Sequence, residues 1–297
     1  MMPPMPRSAL SLVLLAPLCC SPLWAAEPAP ATSAELLANA RDQDLAWQQR
    51  RASLRSGLTS SVSEVRIQSI EAIADLQDPA LAGDLLPFLE TATPPEELAA
   101  ACLATAHLGN AAAIPSLRIH LTHASPDVRQ AAYQALEHLS GSTPQDHLGR
   151  ANDSDPVLRD AAIVHLALFP VPEAAPILVA NLARNSQASM RRLCALGLGR
   201  LGDRAQGPVL QKALIDGDAT VRQAVADALV RLRYTPAIPA LFMTLENPMA
   251  GDGIARCLTK LAGKDFGYQA KANETDRKAA IDRGWAWWTA NAARLNH

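Results

Sequence analysis

Seven histidines and five cysteines are the residues of this 297-residue chain best suited to metal or nucleophilic chemistry. Six of the histidines precede the C-terminal residue: His107, His120, His123, His138, His147 and His165. His120 and His123 stand three apart and can face the same way on a helix, while His107 and His138 hold the same place in two successive repeats. Either pair could donate to a metal, but no cysteine or carboxylate completes a familiar spacing, and no His-x-x-x-His with an adjoining Glu occurs. The histidines therefore read as solvated or locally hydrogen-bonded, and no metal site is expected. Cys102, Cys194 and Cys257 lie far apart in alanine-rich stretches without any Cys-x-x-Cys, which excludes thioredoxin-like and haem-attachment chemistry. They read as small buried thiols, and a nucleophile would need exposure and an adjacent base. Asp155, Asp216 and Asp218 recur where turns and helix starts call for acceptors, not as two carboxylates with separated pKa values in one cleft. Gly-x-Ser-x-Gly, phosphate-loop and dinucleotide glycine patterns are absent. No catalytic residue and no cofactor is expected, and the chain does not read as an enzyme.

A column of arginines is the other chemical feature. Arg66, Arg129, Arg159, Arg191 and Arg222 recur at one repeat position, so stacked repeats would bring them into a row. Such a row can bind a phosphate backbone or an anionic polymer if its guanidinium groups are free. It forms a ladder of ion pairs between repeats if they are not, and Glu64, Asp127, Asp155 and Asp218 lie within four residues upstream. The formal net charge of −2 gives no general attraction for nucleic acid.

The elements that must position these groups are helical. Hydrophobic residues make up 49% of the chain but aromatics only 4%, a composition suited to alanine-rich helix packing rather than to a β-sandwich. From residue 63 to 262 the sequence repeats, the last apolar residue of one helix per unit being Leu76, Leu108, Leu139, Phe169, Leu201, Leu232 and Leu261. Successive steps are 32, 31, 30, 32, 31 and 29 residues. In the unit Val221–Leu232, apolar residues fall at i, i+4, i+7, i+8 and i+11, a helix stripe rather than a strand alternation. Small residues at i+4 (Ala132, Ala162, Cys194) and i+7 (Ala135, Gly197, Ala228) allow a neighbouring helix to come close. A shorter pattern with early proline, as in Ile114-Pro115, Ala175-Pro176, Gly207-Pro208 and Ile238-Pro239, supplies the other arm of each hairpin. A lone hairpin cannot hide its apolar face, so about seven of them must stack.

These units resemble the short bacterial HEAT repeats of the phycobilin-lyase-like class, with the pattern Asp-x-x-Val-Arg-x-x-Ala-x-x-Ala-Leu-x-x-Leu-Gly. The likeness is strongest at Asp127–Leu139, Met190–Gly202 and Asp218–Leu232 and covers roughly two thirds of the chain. It implies an all-α, HEAT-like α-solenoid, a right-handed superhelix of helical hairpins. Members of that class serve as protein-binding scaffolds, as partners of modification enzymes and, in a few cases, as chromophore lyases.

The ends carry separate expectations. Residues 1–26 have a basic start, a short apolar run and a small-residue exit, which reads as a signal peptide for export to the periplasm or outside. A lipid anchor at Cys19 or Cys20 fits poorly, because Leu18 or Cys19 stands where a lipobox wants a small residue. Residues 27–62 read as a leader and capping helix, and residues 263–297 as a tryptophan-rich segment sealing the last repeat. In that tail Trp287 and Tyr268 are expected to be exposed and are candidates for an aromatic binding platform. The expected function is a non-catalytic extracytoplasmic scaffold holding a protein or peptide in the solenoid groove, through polar positions between the stripe residues: Gln130, Gln134, Arg192, Gln223 and Asp227. The alternative is an accessory subunit of an enzyme, or a weak lyase or small-ligand binder with a pocket near the aromatic tail.

Overall fold

The computed structural model describes residues 46–247 and 251–295, together with residues 35, 38 and 39. The expected signal peptide, Cys19, Cys20 and residues 27–34 of the leader lie outside the described residues. Among the described residues there is no strand, and the helices form seven successive hairpins. The first is α1 (Trp47–Leu58) with α2 (Ser63–Leu76), and the second pairs a 3-10 segment (Pro79–Leu89) with α3 (Pro95–His107). The third joins α4 (Ile114–Ile119) to α5 (Pro126–His138), and the fourth α6 (Pro144–Arg150) to α7 (Pro156–Leu168). There follow α8 (Ala175–Arg184) with α9 (Ala188–Leu201), α10 (Gly207–Lys212) with α11 (Ala219–Arg231), and α12 (Ile238–Glu246) with α13 (Gly251–Ala262). A long last helix, α14 (Glu274–Leu295), follows them.

Local sequence explains where these helices start and stop. Proline occupies the first turn of α3 to α8, α10 and α12, as the first residue of α3, α5, α6 and α7 and the second of the others. Asp155 and Asp218 accept the free backbone N–H groups of α7 and α11, and Thr143 with Asp146 closes a capping box on α6. The second helix of a hairpin is stopped by a residue in the left-handed region: Gln77, Gly109, Ser140, Gly202, Arg233 and Gly263. The fourth hairpin departs from this rule, because α7 runs out at Phe169 (φ −125°) before Pro170.

The second helices form a row in which α2 packs on α3, α3 on α5, α7 on α9, α9 on α11 and α11 on α13. The ruler leucines behave as the repeat requires: Leu232 is buried, and Leu139 and Leu201 are half-buried against the core. The row is nevertheless not continuous. α5 and α7 hardly touch, and the apolar core falls into two bodies, one from Leu54 to Leu136 and one from Leu148 to Ile281. The run of hairpins is unbroken, as the sequence repeat requires, but the periodicity did not show that the apolar packing divides at hairpin four.

At the other end α14 lies against α12. Trp285 rests on Phe242 with ring centroids 5.3 Å apart, Phe242 meets Phe266 at 5.4 Å, and Thr235 Oγ1 donates to the Leu295 carbonyl at 2.7 Å. Gly284 makes the close approach possible, since a Cβ there would lie 2.0 Å from Phe242 Cε1.

Candidate functional site

The arginine column is engaged within the molecule. In all five members Nη1 donates to the carbonyl six residues upstream: Arg66 to Ser60, Arg129 to His123, Arg159 to Asp153, Arg191 to Asn185 and Arg222 to Asp216, at 2.6–2.9 Å. In three of them the rest of the guanidinium reaches the next hairpin: Arg129 grips Asp153 with Nε at 2.8 Å and Nη2 at 2.6 Å, and Arg191 grips Asp216 at 2.8 and 2.9 Å. Arg66 does the same to Glu97. These guanidinium groups hold the Asp153, Asp216 and Glu97 carboxyls below the usual carboxylate range. The ladder between repeats is therefore real, but its acids are not the upstream Glu64, Asp127, Asp155 and Asp218. Asp155 and Asp218 are consumed as helix caps, and the partners come from the following hairpin. Asn185 stands where Asp153 and Asp216 stand in their units, so the next turn offers Arg159 no carboxylate at that place.

The polar positions expected to line a groove divide into two places. Arg192, Gln223 and Asp227 come together around one hollow of about 290 Å³ between α9 and α11, with Leu196, Ala219, Thr220 and Ala224. Arg192 is exposed there, whereas Gln223 Nε2 donates to Cys257 Sγ at 3.5 Å and the Cys257 thiol donates to Asp227 at 3.2 Å. Gln130 and Gln134 are half-buried on α5, far along the row, and Gln130 accepts a hydrogen bond from Arg150.

The aromatic platform is corrected. Trp287 is half-buried with its ring 5.4 Å from Phe266, and Tyr268 is half-buried with its hydroxyl donating to the Leu245 carbonyl at 3.3 Å. They do not share a hollow: Tyr268 lines a crevice of about 10 Å³, room for roughly one water, and Trp287 rims a separate open trough of about 620 Å³. The three cysteines are buried as expected, and burial pushes each thiol up to about 12, which keeps it unreactive.

The chemistry-bearing groups gather where the apolar core is interrupted. α5 supplies Gln130, Tyr133 and Glu137, the short α6 supplies His147 and Arg150, and α7 supplies His165. The Tyr133 hydroxyl is hydrogen-bonded to His147 Nδ1, and the His147 and His165 rings are stacked at 3.5 Å with planes 13° apart. Glu137 Oε1 lies 4.0 Å from His165 Nδ1, and the Arg150 guanidinium sits 3.7 Å over the Tyr133 ring with its buried Nε lacking a hydrogen-bond acceptor. Burial, reinforced by His165, pushes the His147 imidazole down to about 4, and burial also lowers His165 despite Glu137. Both rings are thus neutral at pH 7. Donor atoms of Glu137, His147 and His165 all lie within 4.8 Å of one another. The sequence reading paired other histidines and saw no carboxylate beside them. His120 and His123 are committed elsewhere: His120 Nε2 meets the Leu89 carbonyl at 2.8 Å, and His123 Nδ1 accepts the Ser125 N–H at 3.1 Å. His107 and His138 make an edge contact with centroids 5.9 Å apart. A signal for the missed cluster was present, because His165 occupies the i+7 position that is Ala135, Gly197 and Ala228 in other units.

Comparison with known proteins agrees with the architecture. No curated protein matches the chain. Among solved structures, Escherichia coli YibA is 16% identical, with 78% of this chain and 92% of that chain covered and a TM-score of 0.51, and supports the fold. Looser matches are human deoxyhypusine hydroxylase (17% identity, 78% and 96% covered, TM-score 0.35) and the complex of CpcE and CpcF of phycocyanin lyase from Nostoc (17%, 91% and 99%, 0.37). The sequence profile of HEAT repeats matches residues 82–167, 147–230 and 175–258. Those matches together span residues 82–258, more than half of the chain, and the chain belongs to the HEAT-repeat family.

Proposed function

We propose that this HEAT-repeat module holds a protein or peptide partner along the row of second helices, without catalysis of its own, and does so outside the cytoplasm. The observation that carries the reading is the open hollow between α9 and α11, where exposed Arg192 stands beside Gln223 and Asp227. Both charge signs and an amide at one place suit an extended polypeptide, whose own backbone and side chains offer both donors and acceptors. The arginine column supports the same reading by elimination, since its members are occupied by carbonyls and carboxylates and offer no free row to a phosphate backbone. The basic–apolar leader at residues 1–26 is the support for the extracytoplasmic setting.

A photoreactive amino acid placed at Thr220, on the rim of the hollow, tests the site. It is expected to crosslink one reproducible protein from an envelope extract, and Arg192→Glu is expected to cut that yield at least tenfold without changing the melting temperature. Unchanged crosslinking in Arg192→Glu sinks the groove reading.

The polar gap between α5 and α7 favours a second reading, that the partner is an enzyme which this chain assists. In that case the crosslinked protein is an enzyme, and its turnover changes when the purified chain is added. A partner with no activity, or with activity indifferent to the chain, rules this out.

A further inference from the structure

The i+7 position of the second helix is where successive helices come closest. Ala72, Ala104, Ala135, Gly197 and Ala228 occupy it in their units, all buried, and a Cβ on Gly197 would already lie 2.9 Å from Ala167 Cα. In the fourth unit the residue is His165. Here α7 and α5 hardly touch and the core is in two pieces, a costly arrangement for a repeat protein whose stability comes from contact between neighbours. The rest of the unit is altered to match: α6 is short and brings His147 up against His165, and α5 contributes Glu137.

We propose that Glu137, His147 and His165 bind one divalent transition-metal ion of the zinc type, with a fourth position left to water or to a donor from a partner. Two imidazoles and one carboxylate are a zinc-binding set that leaves a coordination site open. His147 is 4% exposed and its Nδ1 is engaged by the Tyr133 hydroxyl, which fixes the ring and leaves Nε2 as its ligating atom. His165 and Glu137, with side chains 34% and 43% exposed, have the freedom to close on the ion. They must use it, because parallel rings 3.5 Å apart aim their in-plane lone pairs side by side rather than at one point. Capture of the ion therefore opens the stack by turning His165 while His147 stays in place. Arg150, over the Tyr133 ring, is the nearest cation and makes the site weaker than a cysteine-rich structural centre.

The test is direct titration of the chelator-stripped protein, without a polyhistidine tag, using zinc chloride by calorimetry and cobalt chloride by visible absorption. One equivalent of each ion is expected, with the d–d bands of four- or five-coordinate cobalt. His165→Ala restores the small residue of the other repeats, so it is expected to fold and to lose the bound ion. Glu137→Gln alters an exposed side chain and is expected to weaken binding at least tenfold, with the same melting temperature in the absence of metal. No uptake by the unaltered protein overturns the proposal, as does equal affinity in either variant, which would place the ion on His107 and His138 or elsewhere. The result is independent of whether Thr220 and Arg192 contact a partner.

Discussion

A methyl group on Gly284 would lie 2.0 Å from Phe242 Cε1 and 2.4 Å from its Cζ, well inside contact distance. Phe242 is fully buried and wedged between Phe266 and Trp285, so it has no room to retreat. Gly284→Ala is accordingly expected to destabilise the chain by about 1–3 kcal/mol, the usual penalty of overpacking. Thermal unfolding followed by circular dichroism measures this, and an unchanged melting temperature contradicts the packing described. The same scale shows what the sequence could and could not say. The small-residue rule at i+4 and i+7 was legible, and so were the buried thiols of Cys102 and Cys194. The partners of Arg129 and Arg191 were not, because they lie 24 and 25 residues away, in the turn of the following hairpin. The aromatic tail misled for a related reason: helical spacing places Trp287 off the main stripe, but not beside the returning loop that brings Phe266 against it.

Between elements, the arginine of one hairpin and the acid of the next act as a fastening. Their side chains are largely covered, 11% and 7% exposed for Arg129 and Asp153, so loss of the arginine leaves a nearly buried carboxylate without its partner. Arg129→Met is expected to cost about 3 kcal/mol at neutral pH. The acid dependence has a definite sign. Asp153 titrates lower in the folded chain than in the unfolded one, so its contribution is fully present above the ordinary carboxylate value of about 4 and is lost as pH falls through the depressed folded value. Urea unfolding of Arg129→Met at a series of pH values should therefore show a shallower loss in acid than the unaltered chain. An equally steep loss contradicts the fastening. His147 adds an earlier decline. Its folded value of about 4 lies below the ordinary 6.5, so the unfolded chain takes up the proton first and stability falls as pH drops from 6.5 towards 4.

For the whole molecule, the count of hairpins and their period were readable because they depend on spacing alone. The division of the core was not, since it depends on which side chains from distant segments fill one place. Two apolar bodies that meet mainly through polar groups are expected to unfold as two cooperative units. Hydrogen exchange is expected to give residues 54–136 and 148–281 different protection plateaus, and urea unfolding two steps rather than one. A single step with uniform protection would show the two bodies to be energetically one. The Arg129–Asp153 pair lies near the start of α5 and just before α7, while Glu137 and His165 lie near the far ends of those helices, about 12 Å away. Arg118 with Asp146 and Arg150 with Gln130 also cross between the two bodies, so the bidentate pair is one of several polar fastenings over the gap. With three hairpins on one side of this gap and four on the other, any change at Glu137, His147 or His165 falls at the seam between the two bodies.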